Sequence, residues 1–370
     1  MGAKISMRSS LVDRFNQVLE FARKYGIPLN RKENILREYL QSLILNRIYQ
    51  KKQSANLFFI GGTSLRLLRG LDRFSEDLDF EFVSPLNYSK INDLLKEIEF
   101  YLQKENISVS LYTNKTLKRV YFEFRFSKIL YELKLDSDQE KKLVIKLDFE
   151  SNWKGLSREI ISFDRYGFLS NIVTVSLNQL LIQKLLAYID RKQTMARDLY
   201  DIVWLLSNNA VFDWQFIEDN NITDLTKRVK DKFYVEKNKL NLYKRRLESF
   251  LLDPENVNKL DFLEIYFPKM INLEYVRYDK IVNPSGEDII VYRFFFKLNK
   301  QREIIFSIKI AESALAGFKK SFEKNQDNLN FYIKKIKEFY CLNPIKNYET
   351  KVIDTRLRKN LEKGEINHLI

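Results

Sequence analysis

The chain has 370 residues, 45% of them hydrophobic, enough to bury at least one full core and to exclude a disordered polymer. A formal charge of +14 points to a polyanionic partner, nucleic acid first and an anionic membrane second, and disfavours cationic ligands. One histidine, His368, excludes zinc-hydrolase motifs and Ser/His/Asp triads, and one cysteine, Cys341, excludes an internal disulfide. No apolar run reaches the length of a bilayer span and no signal-peptide core is present, so a cytoplasmic protein without a membrane partner is expected.

Residues from about 8 to 53 repeat apolar positions at helical spacing, Leu11, Phe15, Leu19 and Phe21, then Leu36, Leu40, Leu43, Ile44 and Ile48, which predicts two helices. The pattern then shortens into strands over 57–60, 78–82, 120–126 and 143–149, with a helix over 91–104 among them. Strands mixed with helices predict an α/β or α+β sheet layer. Helical spacing returns over 176–206, and a basic, aromatic-dotted helical stretch follows to 252. Within it "KRVKDKFYVEKNKLNLYKRR", residues 227–246, mixes cations with rings as an RNA-binding surface does, although a solvated helix face gives the same run. "DPENVN", residues 253–258, predicts a boundary. Three strands of an antiparallel meander, with a turn at "NPSGED", helices from about 328 to 341 and a charged tail complete the chain. The expected division is N-terminal helices over 1–54, a core over 55–206 that includes the last motif helices, a basic helical region over 207–252, and a smaller C-terminal α+β region over 259–370.

Alternate side chains of a strand share a face. "DLDFEF" therefore sets Asp77, Asp79 and Glu81 opposite Leu78, Phe80 and Phe82, and "LVIKLDFE" sets Val144, Lys146, Asp148 and Glu150 opposite Leu143, Ile145, Leu147 and Phe149. If the two strands are neighbours, Asp77, Asp79 and Asp148 converge, and their repulsion is relieved by a divalent cation, Mg2+ or Mn2+, whose shell water and substrate phosphate complete. A half-exposed sheet with a solvated face shows the same alternation.

The glycines favour the first reading. "FFIGGTSLR" reads as a strand, a tight turn at Gly61 and Gly62, and a helix starting near Thr63 whose first N–H groups suit a phosphate. Thr63 or Ser64 either caps that helix or binds phosphate. The Gly-Lys-Ser/Thr of a P-loop is missing. Arg66, Arg69 and Arg73 are candidates for contact with triphosphate or acceptor, against ordinary solvated arginines, and Ser75 is a candidate triphosphate or metal-shell hydroxyl, against a turn role.

Joined in one order, "GGTSLR", "RFSEDLDF", the Lys146-x-Asp148 strand, "QKLLAYIDR" and "RDLYDI" resemble the nucleotidyltransferase toxins of the AbiEii/AbiGii family, within the polymerase-β-like nucleotidyltransferase superfamily, over roughly Phe58 to Leu206. The resemblance implies a polymerase-β-like core with a mixed sheet and flanking helices. It implies transfer of a nucleotide from an NTP to an acceptor hydroxyl with release of pyrophosphate, with Mg2+ held by Asp77 and Asp79. It also implies a toxin–antitoxin or abortive-infection phage-defence system, a separately encoded antitoxin, and an RNA acceptor, tRNA in some relatives. Matching positions make Lys184 and Asp198 further active-site candidates, with Lys146 on the nucleotide-binding side. Gln183 departs from the acidic residue that often precedes that lysine.

By helical spacing Lys184 falls within the apolar stripe of Leu177, Leu180, Leu181, Leu185 and Tyr188, so it either snorkels or meets an anion, a nucleotide phosphate among them. In "RDLYDIVWLL" Arg197, Asp198 and Asp201 fall away from the stripe of Leu199, Ile202, Val203 and Leu206, and Arg197 with Asp201 reads as an ordinary i,i+4 pair. The expected mechanism has Gly61, Gly62 and the helix terminus holding triphosphate, Lys184 neutralising it, and Asp148 binding a second metal or taking the acceptor's proton. The alternatives are a non-catalytic nucleotide- or RNA-binding regulator and a small-molecule (antibiotic) nucleotidyltransferase, whose cationic substrates fit this charge poorly.

Overall fold

Alternation of large apolar and polar side chains builds a five-stranded sheet at the centre of the N-terminal half. The computed structural model describes residues 10–83, 87–115, 120–269, 273–282, 289–298, 302–311 and 350–354. In chain order the first elements are α1 (Ser10–Lys24), α2 (Lys32–Tyr49), β1 (Leu57–Ile60), α3 (Gly61–Arg69), β2 (Leu78–Phe82), α4 (Tyr88–Lys104), β3 (Val109–Lys115), β4 (Val120–Phe126), α5 (Ile129–Glu132) and β5 (Leu143–Glu150). A hairpin of β6 (Glu159–Arg165) and β7 (Phe168–Thr174) follows, then α6 (Leu177–Asp190), α7 (Ala196–Ser207), α8 (Trp214–Asp219), α9 (Leu225–Glu236), α10 (Leu240–Leu247) and α11 (Leu263–Lys269). The last strands are β8 (Leu273–Val282), β9 (Ile289–Leu298), β10 (Arg302–Ala311) and β11 (Thr350–Asp354).

The chain divides into two compact units, Met1–Leu180 with Asn241–Lys259, and Leu181–Leu240 with Leu260–Ile370. In the first, the strand order is β1-β2-β5-β4-β3, with β2 and β5 parallel and the other neighbours antiparallel. One face of this mixed sheet is a ladder of phenylalanines. Phe59 and Phe80 lie 5.4 Å apart, Phe80 stacks on Phe149 at 5.0 Å, and Phe122 meets Phe149 edge-on at 5.7 Å. All four are fully buried, each burial being worth about 1.5–3 kcal/mol, so the ladder fixes which side of β2 and β5 faces the core. A slip of one residue would expose every one of these rings and bury the acids.

Helices cover the sheet according to their own periodicity. α4 buries Ile91, Leu94, Leu95, Ile98 and Leu102, a single apolar stripe, and Asn87 caps it by accepting from the Lys90 N–H at 3.1 Å. α2 is buried on several sides, polar Glu38, Gln41, Ser42 and Asn46 included, because α1, α4 and β7 all pack against it. The N-terminal helices, expected as a separate segment over 1–54, thus belong to the same unit as the sheet.

The β6–β7 hairpin and β3 were not expected from the sequence. The hairpin turns through Tyr166 (φ +54°) and Gly167 (φ +79°), a left-handed pair without the usual Asn-Gly signal. Tyr166 holds this conformation because its ring is buried, edge-on to Tyr25 at 5.5 Å and to Tyr39 at 5.7 Å. The boundary expected at 253–258 is a 3-10 segment, Pro254–Phe262. Upstream of it, Phe250 O accepts from the Phe74 N–H at 2.8 Å and Leu252 N–H donates to Asp72 O at 3.1 Å. The end of the basic helical region therefore pairs with the segment that leads into β2.

In the second unit, β8, β9 and β10 form the expected antiparallel meander, and β11 adds a parallel strand on β10 that was not anticipated. The turn at 283–288 and the helices expected over 328–341 lie outside the described residues. Among the described residues no helix is long and apolar enough to cross a membrane.

Candidate active site

The register of β2 against β5 sets Asp79 opposite Asp148 on adjacent parallel strands, with Leu78 opposite Leu147 and Phe80 opposite Phe149. Strands about 4.8 Å apart put the two carboxylates side by side on the face away from the phenylalanine ladder. Asp77 stands one residue before β2, in alternation with Leu78. Asp148 is buried and takes the Lys146 ammonium at 3.1 Å, while the same ammonium lies 4.6 Å over the Tyr121 ring. Of Asp77, Asp79 and Asp148, expected to converge, strand register sets Asp79 opposite Asp148, and Asp77 precedes β2 by one residue.

The glycines are placed by close approach. β1 is antiparallel to β2, with Ile60 opposite Asp79, so the chain turns into α3 beside that aspartate. Gly61 has φ +76°, and a Cβ on it would lie 2.1 Å from Asp79 Oδ2. A Cβ on Gly62 would lie 2.5 Å from Arg73 Nη2 and 3.1 Å from Ser75 Oγ. Asp79, Arg73 and Ser75 therefore gather around two glycines at the start of α3, where no side chain caps the helix and its N-terminal dipole favours negative charge. Gly61→Ala is expected to cost about 1–2 kcal/mol of backbone strain and to displace Asp79. Its activity should fall at least tenfold at temperatures where thermal melting shows it folded; unchanged activity would contradict this packing.

Two predicted phosphate ligands serve the fold instead. The Thr63 hydroxyl donates to the Asp77 carbonyl, tying α3 to the start of β2, and Ser64 Oγ donates to Gly61 O at 2.9 Å. Both are buried, so their hydroxyls shape the turn. Arg66 is also corrected: its Nε lies 2.8 Å from Glu38 Oε2 and its Nη1 donates to Leu71 O at 3.0 Å, inside the core. Arg69 pairs with Glu159. Arg73 is buried, with Nη1 donating to Phe74 O at 2.8 Å, and it remains beside Gly62.

Sequence reasoning missed three supports. Gln41 of α2, a polar residue in a buried helix, donates to Ser75 O at 3.1 Å and Glu76 O at 2.8 Å, which sets the loop carrying Ser75. Glu38 anchors Arg66, as above. Glu81, expected on the open carboxylate face, is 0% exposed, because residues 152 and 153 fold over it. The Asn152 and Trp153 N–H groups donate to its Oε1, the latter at 2.8 Å, and Oε2 is buried without a hydrogen-bond partner. Burial pushes this carboxyl up to about 7, against the pull of the two amide donors.

The motif helices carry their own cluster in the second unit. Lys184 Nζ lies 3.1 Å from Asp198 Oδ1 and 2.8 Å from Asp201 Oδ2, and Arg191 pairs with the other oxygen of Asp198. The anion that Lys184 meets is therefore a pair of protein carboxylates. Asp198 and Asp201 are both buried, which corrects their expected placement on the outer side of α7 and the reading of Asp201 as an ordinary surface partner. Gln183, at the departure from the family pattern, has its amide nitrogen buried without a hydrogen-bond partner.

A family model described as nucleotidyl transferase AbiEii toxin, type IV TA system, matches residues 43–276. Among solved structures, JHP933 from Helicobacter pylori is 20% identical, covers 64% of this chain and 93% of its own, and superposes with a TM-score of 0.40. An antigenic nucleotidyltransferase-like protein from Paracoccidioides brasiliensis is 13% identical, covers 55% of this chain and 91% of its own, with a TM-score of 0.35. No curated protein matches the chain.

Proposed function

Because the chain belongs to the AbiEii nucleotidyl transferase toxin family of type IV toxin–antitoxin systems, we propose that it transfers a nucleotide from an NTP to a hydroxyl of RNA, with tRNA the first acceptor to test. A separately encoded antitoxin restrains it, and phage defence is its role in this reading. The observation that supports the chemistry is the Asp79–Asp148 register beside Gly61. The net charge of +14 supports a polyanionic acceptor.

Asp77, Asp79 and Asp148 supply hard oxygen donors that fit Mg2+ or Mn2+. Among the described residues no three acidic, cysteine or histidine side chains stand close enough together to hold a cation on their own, so the donors that strand register brings together are the pair Asp79 and Asp148. Bound there, the cation supplies Lewis-acid polarisation of the phosphate and charge neutralisation of the leaving pyrophosphate. The Gly61–Gly62 turn and the uncapped start of α3 bind the triphosphate, with Ser75 and Arg73 beside Gly62. Asp148, held by Lys146, either accepts the proton of the acceptor hydroxyl or joins Asp79 on the cation, the proton then passing to solvent water. The hydroxyl oxygen forms its bond to the α-phosphorus as the bond from that phosphorus to the bridging oxygen breaks, and pyrophosphate leaves.

The test incubates the protein with Mg2+, each labelled NTP in turn and total tRNA, beside an Asp77→Ala/Asp79→Ala variant. Label entering RNA with the intact protein alone is expected. RNA retention with no transfer from any NTP would contradict the reading and favour a binding module. Lys184 and Asp198 stay candidates for catalysis through the family. Lys184→Met removes the cation that buried Asp198 and Asp201 share, with Arg191 still on Asp198, so it is expected to lower the melting temperature as well as the transfer rate; an unchanged melting temperature would contradict the ion cluster.

A further inference from the structure

The outer side of α9 carries a cationic and aromatic stripe that the core does not use. α9 buries Leu225, Thr226, Val229 and Phe233, and Phe233 packs edge-on against Phe267 at 5.0 Å. Two of its cations are engaged with neighbouring helical segments, Arg228 with Asp190, and Lys232 with Tyr188 O at 2.6 Å and Arg191 O at 2.8 Å. Lys227, Lys230 and Tyr234 of α9 and Lys237 just past its end remain, spaced three, four and three residues apart along one side over ~15 Å; Lys227, Tyr234 and Lys237 are exposed, and Lys230 is half-buried, burial lowering its ammonium from the usual lysine range. Tyr234 is 74% exposed and its neighbour Val235 73%. The Lys237 ammonium sits 4.5 Å over one face of the Tyr234 ring.

We propose that this stripe is a single-stranded RNA contact surface, in which Tyr234 stacks on an unpaired base and Lys227, Lys230 and Lys237 follow the phosphates on either side of it. It rests on the preceding functional reading only in taking RNA as the polyanion. A solvated helix face needs lysines but no exposed ring between them, and a membrane-binding face needs a broad apolar side, where this one offers Val235 alone beside the tyrosine. Stacking tolerates any base, so the surface would grip RNA with little sequence preference, leaving selection of the acceptor to other contacts.

The experiment measures binding of a fluorescein-labelled single-stranded RNA oligonucleotide by anisotropy, with unlabelled total tRNA as competitor, in the absence of NTP and divalent cation. Tyr234→Ala is expected to weaken binding about tenfold or more, whereas Tyr234→Phe, which keeps the ring, stays within about twofold of the parent. The triple variant Lys227→Glu/Lys230→Glu/Lys237→Glu is expected to weaken binding further and to lower the slope of log affinity against log salt by about two. Lys227, Tyr234 and Lys237 are exposed and Lys230 is half-buried, so affinity is read at a temperature where thermal melting shows every variant folded. Equal affinity of Tyr234→Ala and the parent overturns the proposal, as does a loss on anionic phosphatidylserine vesicles with RNA affinity unchanged, which would assign the stripe to a membrane. Because no turnover is involved, RNA binding that maps to the stripe in a protein that transfers nothing keeps this inference and overturns only the proposed activity.

Discussion

Asp79→Asn is expected to lower nucleotidyl transfer by about three orders of magnitude or more while the protein remains folded. The amide has nearly the volume of the carboxylate, and the space against Gly61 is shaped for that volume. What it loses is the negative charge that a divalent cation needs, next to Asp148 across the β2–β5 register. The loss should fall on kcat/KM with every NTP, because the substitution touches the reacting centre and not the base. Asp148→Asn is expected to match it closely. Steady-state transfer beside thermal melting checks both, and activity within tenfold of the parent would remove Asp79 from the chemistry.

Glu38→Ala is expected to destabilise the protein by roughly 3–5 kcal/mol, the range for leaving one partner of a buried ion pair alone. Glu38 collects Arg66 at 2.8 Å, the Tyr166 hydroxyl at 3.2 Å and Arg165 at 3.7 Å, so one carboxylate joins α2, α3 and the β6–β7 hairpin. Burial and the neighbouring carboxylate push the Tyr166 phenol above the usual tyrosine range, which keeps it a hydrogen-bond donor. Urea denaturation should show the loss, with a fall in melting temperature of roughly 10 °C. The Glu38→Ala/Arg66→Met pair should cost less than the sum of its members, because removing both charges strands neither. A loss under 1 kcal/mol for Glu38→Ala would show that the network adds little.

These two residues mark where sequence reading worked and where it stopped. Asp79 was legible because strand alternation is a local rule, and the greasy side, Phe80 and Phe149, left only one side for the acids. The adjacency of β2 and β5 needed the pattern of a parallel pair with both ladders in phase, which the repeated carboxylates suggested and the register supplies. Glu38 was invisible because its partners lie 28 and 128 residues away, in elements whose contact depends on the whole fold. The same distance effect misassigned Arg66: a short amphipathic helix with an arginine reads as surface until α2 is laid over it. Glu81 obeyed the alternation rule and was still misread, because a loop 71 residues further on closes over it. Asp201 shows the converse error, a plausible i,i+4 partner on paper whose carboxylate is buried against Lys184.

In the proposed function the acids of β2 and β5 and the Gly61–Gly62 turn form one site for metal and triphosphate. Crystals grown with Mn2+ and a non-hydrolysable NTP analogue test it most directly through the anomalous signal of manganese. A peak is expected in coordination contact with carboxylate oxygens of Asp79 and Asp148, with the triphosphate lying against the start of α3. Manganese and nucleotide ordered elsewhere on the protein, with those two carboxylates making no contact to either, would contradict it.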